Sequence, residues 1–211
     1  MNLEQLKQNF KTLNERIADA LAQMKSDSQC LIEQAAQELF RAAPEIDHIF
    51  WVQYTPYFND GEPCSFSRHD IYYVLTGDVE AEVDGEGSYL YTKQDYDTAL
   101  ASLEEVRKYV ADPTAWFEEY KAKHKLPYNA KQEWHRPWPY TIEAAQEKVA
   151  EIEMQRAIYS AEDADRINNA FQAFYECMAL IPDDIMLAVY DDHVRVKISR
   201  NGTEVDEYRH D

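Results

Sequence analysis

Acidic side chains alternate along one short stretch of the sequence. In GDVEAEVDGEG, residues 77–87, the carboxylates occupy every second position: Asp78, Glu80, Glu82, Asp84 and Glu86. On a β-strand this spacing places all of them on one face. Such a face could bind a cation for a metal-dependent enzyme, or it could be a solvated acidic surface.

A calcium loop is the nearest known pattern for this stretch. Its first, third, fifth and sixth positions would be Glu80, Glu82, Asp84 and Gly85. The twelfth position, which requires a bidentate Glu, would be Tyr91, and the flanking sequence is not a helix pair. The pattern favours a solvated acidic strand, and we predict no metal ion and no cofactor.

Cys64 and His69 could form a nucleophile and base pair, since a thiol needs a cationic neighbour to become a thiolate at neutral pH. Their odd spacing would place them on opposite faces of one strand, which favours a packed strand cysteine. The six histidines lack zinc-site spacing, and the common nucleotide, hydrolase and metalloprotease motifs are absent. These observations favour a non-enzymatic protein, although a carboxylate-based site has no fixed local string.

The segment QYTPYFNDGEPC, residues 53–64, predicts a pre-shaped loop. Pro56 and Pro63 fix their own φ angles and hold the preceding residues extended, while Gly61 can take a positive φ in the NDG turn. Such a loop loses little entropy when it presents one surface. We predict a stability or recognition hub formed by Tyr54, Pro56, Tyr57 and Phe58.

A basic and aromatic segment follows the acidic region. Residues 121–140 hold five Lys or Arg and one Glu, whereas residues 60–120 hold 15 Asp or Glu and four Lys or Arg. Within YNAKQEWHRPWPY, the side chains of Trp134, Arg136 and Trp138 suit a protein-docking site. Alternatively, the tryptophans pack into the protein's own core.

The overall charge limits the classes of partner. Forty acidic and 21 basic residues give a net charge of −19 and 45% of the 211 residues are hydrophobic, as in a globular protein. An acidic field repels nucleic-acid phosphates and anionic lipid, so we expect neither direct nucleic-acid nor membrane binding. Three widely spaced cysteines and no signal-peptide pattern favour a cytoplasmic location.

Hydrophobic spacing predicts the elements that position these residues. Apolar residues from Leu3 to Phe40 recur every three or four positions, which predicts one long helix or two abutting helices. This helix could pack on its own domain, or it could form a homodimer through a coiled-coil seam. Aromatic and β-branched residues between 46 and 91 predict a central antiparallel hairpin.

Four further helices are predicted, over 94–110, 114–123 and two within 140–181 that meet near Ser160. After Pro182, the patterning predicts a three-strand β-meander with a two-residue Asn201-Gly202 turn. The predicted fold class is α+β: a long N-terminal helical element, a central antiparallel aromatic hairpin, further helices and the C-terminal meander. We predict a single domain over 1–211, with 124–141 as the one candidate boundary.

The string FWVQYTPYFNDGEPCSFS, residues 50–67, resembles a signature of uncharacterised proteins from tailed bacteriophages and prophages. The resemblance implies a phage-encoded protein of helical and β content in the bacterial host cytoplasm. Together with the acidic surface, it favours an accessory or inhibitory factor that binds a host or phage protein. Its acidic face could act by nucleic-acid mimicry, because carboxylates can imitate phosphates. The alternative is a carboxylate-based metal-dependent enzyme that uses residues 78–86.

Overall fold

A computed structural model describes residues 3–57, 61, 63–78, 87–127 and 129–209, apart from the side chain of Trp134. The chain forms two compact units. The first comprises Met1–Ser88 with Ile167–Asp211, and the second comprises Tyr89–Arg166. The segment 124–141 lies inside the second unit.

The predicted α+β class is confirmed. The described residues contain six α-helices and five strands, and all strands belong to one antiparallel sheet. The helices are α1 Leu3–Ala42, α2 Lys93–Ala111, α3 Pro113–His124, α4 Ile142–Ile158, α5 Ala161–Ala179 and α6 Asp183–Tyr190. The strands are β1 Ile46–Tyr54, β2 Ser67–Arg68, β3 Tyr72–Leu75, β4 Val194–Ser199 and β5 Gly202–Glu207.

Helix α1 is one continuous helix of 40 residues. Only its last third packs within the first unit, where Ile32, Ala36, Leu39 and Phe40 are buried. Every residue from 3 to 27 is exposed except Leu6, which is half-buried. The prediction that α1 packs on its own domain is therefore correct only for the last third of the helix.

Strand β1 is the centre of the sheet. It pairs with β2 and β3 on one side and with β4 on the other, and β5 extends the sheet beyond β4. The predicted aromatic hairpin is the β1–β3 pair, in which Phe50 lies opposite Tyr72 and the two rings stack 5.5 Å apart. Trp51, on the same strand, is fully buried.

The prediction of a three-strand C-terminal meander is wrong in its first strand. The segment DIMLAVY is helix α6, and only β4 and β5 follow it. Pro182 precedes the helix, Asp183 and Asp184 favour its first turn, and Met186, Val189 and Tyr190 are buried at helical spacing. A short apolar run fits a helix or a strand equally well, and here the acidic first turn decides for the helix.

The β4–β5 hairpin is present, but its loop is one residue earlier than predicted. Ser199 pairs with Gly202, so the two loop residues are Arg200 and Asn201. The guanidinium of Arg200 donates to the carbonyl oxygens of Ile46, Pro44 and Phe40 at 2.8, 2.8 and 3.3 Å. These bonds fix the loop residue against the end of α1 and the start of β1.

Helices α3 and α5 begin at residues whose side chains accept hydrogen bonds from the first turn. The Asp112 carboxylate accepts hydrogen bonds from the backbone N–H groups of Thr114 and Ala115, and Pro113 occupies the first turn of α3. At the predicted helix break, the Ser160 hydroxyl oxygen accepts from the N–H of Asp163 at 3.1 Å. Helices α2 and α4 pack through Leu103, Ala145 and Val149.

Candidate functional site

The predicted hub at residues 54–58 lies at the end of β1 in the first unit. Tyr54 is buried, and its ring stacks on that of His69 with centroids 4.5 Å apart. Tyr57 is 73% exposed and stacks on His193 at 4.8 Å. Pro56 lies between the two tyrosines, and Phe58 is outside the described residues. The hub therefore combines a core residue, Tyr54, with a surface residue, Tyr57.

Asp192 anchors the start of the hub loop. Its carboxylate accepts hydrogen bonds from the backbone N–H and the hydroxyl of Thr55, both at 2.8 Å, and from the N–H of His193 at 2.9 Å. Asp191 and His193 on either side adopt left-handed φ angles of 70° and 56°. Residues keep such strained backbone angles where surrounding contacts hold them in place. Here the bonds between Thr55 and Asp192 hold the residue that lies between the two strained positions. Sequence reasoning missed Asp192 and His193, since nothing in their spacing relates them to residues 54–57.

Partial burial by itself would raise the pKa of the Asp192 carboxyl, but the hydrogen bonds from Thr55 and His193 outweigh it and hold the pKa below its ordinary value of 3.8. A carboxyl whose pKa is lower in the folded than in the unfolded state stabilises the fold at pH values above its unfolded-state pKa. That stabilisation is lost as the pH falls through the folded-state pKa.

We therefore expect Asp192→Asn to lower the melting temperature at neutral pH, because the amide cannot reproduce the charge-assisted bonds to Thr55. In thermal melts, the difference from wild type should shrink as the pH falls below the ordinary carboxyl range. Asp191→Asn is the matched control, since it removes a neighbouring charge without touching Thr55. A constant difference at every pH would contradict this role of Asp192.

The second predicted binding segment, in the second unit, lines grooves formed with α2 and α4. Trp138 is 72% exposed at the edge of a groove of about 470 Å³, which Tyr89, Tyr91, Ala99 and Lys148 also line. This volume lies within the range of ligand pockets in proteins. The prediction that the tryptophans are tucked into the core is wrong for Trp138.

An adjoining groove in the same unit brings two of the predicted binding residues together. Arg136 and Trp138 both line it, along with Trp116, Tyr120 and His135. Trp134 ends the short 3₁₀ turn Gln132–Trp134, and its side chain is outside the described residues.

Hydrogen bonds fix the wall of the Trp138 groove formed by Tyr89 and Tyr91. The Gln155 amide accepts from the N–H of Tyr91 and donates to the carbonyl oxygen of Tyr89, both at 2.7 Å. Lys148 lies 4.2 Å from the centroid of the Tyr91 ring and donates to the Tyr91 hydroxyl and, at 3.0 Å, to Glu151. The groove therefore has an aromatic wall with one cation on it, which suits a planar or apolar anchor residue of another chain.

The polar groups at this wall have shifted pKa values. Burial, together with the hydrogen bond to Glu151, raises the pKa of Tyr91. The hydrogen bond that Tyr91 donates lowers the pKa of Glu151 in turn. Tyr91 stays protonated and Glu151 stays ionised near neutral pH, so the wall keeps its hydrogen bonds there.

The acidic run is described only at its two ends. Glu80, Glu82 and Asp84 lie outside the described residues, so their predicted strand stays a prediction. The Ser88 hydroxyl donates to the Asp78 carboxylate at 2.6 Å and accepts from the N–H of Leu75 at 2.9 Å. These bonds join the residues that begin and follow the acidic run.

The structure bears on two of the predicted chemical sites, the Cys64 nucleophile and a metal site. Cys64 is exposed and precedes β2, which begins only at Ser67, so its interpretation as a packed strand cysteine is wrong. Within the described ranges, no group of three or more His, Cys, Asp and Glu side chains could hold a metal ion. In the same part of the chain, no helix is both long and apolar enough to cross a membrane.

The comparisons with known proteins give no relative. No family model, no curated protein and no solved structure matches the chain.

Proposed function

We propose that this protein is a non-catalytic, acidic interaction factor that binds another polypeptide chain, and that α1 is its principal binding element. The observation that carries the proposal is the exposed apolar surface of α1. Phe10, Leu13, Ile17, Leu21 and Met24 are all exposed along one helix. Contiguous apolar surface of this kind is rare on monomeric proteins and marks interaction sites.

The negative charge of the first unit supports a partner with a basic surface. Residues 32–88 and 167–211 hold 21 acidic and six basic side chains, a net charge of −15. Such a field attracts and orients a basic partner at long range. The resemblance of residues 50–67 to phage and prophage proteins supports a host or phage protein as that partner, bound by a phage-encoded accessory or inhibitory factor.

The double substitution Leu13→Glu with Ile17→Glu tests the role of α1. Both side chains are exposed, so the fold should keep its melting temperature while any association through α1 is lost. Association is measured as mass in solution and as affinity capture of proteins from a bacterial lysate. If the variant matches wild type in both measurements, α1 is not a binding element and the proposal fails.

The Trp138 groove is the second contact surface of this proposal. Exposed aromatic anchors beside a groove are typical hot spots, whose truncation costs about 2 kcal/mol or more, or roughly 30-fold in affinity. We expect Trp138→Ala to weaken binding of a captured partner by that factor and to leave the melting temperature unchanged.

Tyr140→Ala is the control for Trp138. Tyr140 is a comparably exposed aromatic residue two positions later that does not line this groove. An equal loss of affinity in both variants, measured by titration calorimetry, would argue against a specific contact at the groove.

A further inference from the structure

Large apolar residues repeat on α1 at strict heptad spacing. Leu3, Phe10, Ile17, Met24 and Leu31 are seven residues apart, and Leu6, Leu13 and Ala20 form the second series. We call the members of the two series up to residue 24 the α1 stripe: Leu3, Leu6, Phe10, Leu13, Ile17, Ala20 and Met24. Two interleaved heptad series over more than three heptads are the pattern of a coiled-coil seam.

We infer that the α1 stripe is covered by the α1 stripe of a second copy of this chain, in an antiparallel coiled coil centred near Glu15. The inference rests on the proposed function, in which α1 binds another polypeptide: a second copy occupies α1, whereas the basic host or phage partner contacts the acidic part of the first unit outside α1. Three independent features favour a second copy and fix the orientation: the local charge of the helix, the size of the side chains along the seam, and the charge of the unit that follows.

The charge of the exposed segment permits self-association. Residues 3–31 contain four acidic and four basic side chains, and they are therefore neutral in a protein of net charge −19. A helix built to bind a strongly basic or acidic partner would carry the opposite charge beside its apolar stripe. A neutral stripe instead allows two identical helices to approach each other. The acidic residues are Glu4, Glu15, Asp19 and Asp27, and the basic residues are Lys7, Lys11, Arg16 and Lys25.

Side-chain size favours the antiparallel orientation. When the two helices cross with residue 15 of each at the centre, the largest stripe residue, Phe10, faces the smallest, Ala20. Leu13 then faces Ile17, and Leu6 faces Met24. A parallel pair would instead place Phe10 against Phe10 and Ala20 against Ala20. Alternating large and small residues fill a seam better than matched ones.

The ends of the seam also fit the antiparallel arrangement. Leu3 of one copy faces Asp27 of the other, so the pairing uses the whole exposed segment and places each Asp27 at an end of the seam, opposite an uncharged side chain. In the parallel arrangement, Asp27 of one copy would instead face Asp27 of the other, and like charges placed together are destabilising.

Electrostatic repulsion between the two copies also favours the antiparallel orientation. The part of the first unit outside residues 1–31 has a net charge of −15. A parallel pair would bring two such charges to the same end. An antiparallel pair separates them by the 24 residues between positions 3 and 27, about 36 Å at 1.5 Å per residue. That distance exceeds the Debye length of about 10 Å in ordinary salt.

The apolar surface continues past the stripe into a groove of about 940 Å³ at the base of the exposed segment. Leu31, Ile32, Cys177, Leu180 and Ile198 line it, and Leu180 is 84% exposed. In the antiparallel arrangement, the beginning of the partner's α1 arrives beside Asp27, next to this groove. The covered surface is thus extended at each end of the seam.

The mass of the protein in solution is the first test. We expect sedimentation equilibrium to give twice the monomer mass of 24.7 kDa, and Leu13→Glu with Ile17→Glu to give the monomer. The matched control is Gln8→Glu with Ala22→Glu, which adds the same two charges on the opposite face of α1 and should leave a dimer. A wild-type monomer at all concentrations, or a dimer that survives Leu13→Glu with Ile17→Glu, would overturn the inference.

Disulfide trapping tests the orientation. In a background with Cys30, Cys64 and Cys177 replaced by Ser, Leu6→Cys and Met24→Cys are made singly and together, and the proteins are oxidised at low concentration. In the antiparallel seam, position 6 faces position 24, so neither single variant should cross-link efficiently and the double variant should form a covalent dimer. Efficient cross-linking of both single variants would establish a parallel pair and overturn the inference.

The same experiments separate this inference from the proposed function. If the chain is monomeric but Leu13→Glu with Ile17→Glu abolishes capture of a different protein, α1 is a binding element whose partner is not a second copy. In that case, the inference falls and the proposed function stands. If the chain is monomeric and the variant captures the same proteins as wild type, both fall.

Discussion

Gln53→Leu is expected to destabilise the first unit by about 2–4 kcal/mol, because it removes the buried polar centre of a hydrogen-bond network. Gln53 is completely buried on β1. Its amide oxygen accepts from the indole N–H of Trp51 at 3.1 Å, and its amide nitrogen donates to the carbonyl oxygens of Met186 and Asp191 at 3.2 and 2.6 Å. Leucine keeps the volume but leaves the buried indole N–H and the Asp191 carbonyl without this partner.

Thr203→Val is the matched control for Gln53→Leu. The Thr203 hydroxyl is also buried, but it has no hydrogen-bond partner among the described residues. Replacing a buried polar group that makes no bond with an isosteric apolar group should be neutral or slightly stabilising. Chemical denaturation of both variants measures the contrast. Equal destabilisation by the two substitutions would show that the Gln53 network contributes nothing beyond packing.

The Gln53 network also explains what the sequence could and could not predict. Helical spacing and capping residues act over three or four positions, so the starts of α3 and α5 at Asp112 and Ser160 follow from the sequence alone. Gln53 and Asp191 are 138 residues apart, and no local pattern relates them. The same limit applies to the three carbonyl groups that hold Arg200, which lie about 155 residues before it.

The candidate site shows a second kind of limit. A helical stripe has the same period whether it packs on its own domain or on another chain, so the sequence predicted α1 but not the exposure of residues 3–27. The run DIMLAVY is too short for its periodicity to separate a helix from a buried strand. In the basic segment, residue types left open whether Trp138 docks a partner or packs into the core, and the groove beside it depends on Tyr89, Tyr91 and Lys148 from other elements.

The acidic run depends on the backbone beside it, since residues 87 and 88 return the chain to β3. The N–H of Ser88 donates to the carbonyl oxygen of Tyr73 at 2.7 Å, and the Ser88 hydroxyl contacts both Leu75 and Asp78. Gly87 immediately precedes these bonds and has a φ of +72°. Gly87 is therefore the residue at which the chain rejoins β3 after the acidic run.

Gly87→Ala is expected to destabilise the first unit by about 2–4 kcal/mol for two reasons that add together. A side chain at a φ of +72° costs about 1 kcal/mol. The new Cβ would also lie 2.7 Å from the Cβ of Tyr72 and 3.0 Å from the carbonyl oxygen of Tyr73, so the β3 backbone must move. That movement breaks the Ser88 bonds and carries a cost typical of overpacking, about 1–3 kcal/mol.

Gly77→Ala separates the two contributions. Gly77 has a φ of +88°, and a Cβ added there meets no atom within 4 Å, so this variant should show the backbone cost alone, about 1 kcal/mol. The measurement is the difference in unfolding free energy between the two alanine variants. If Gly87→Ala costs no more than Gly77→Ala, then the contact with Tyr72 is not restrictive. A larger cost at Gly87 would instead establish that close packing against Tyr72 and Tyr73 restricts the backbone where the chain returns to β3.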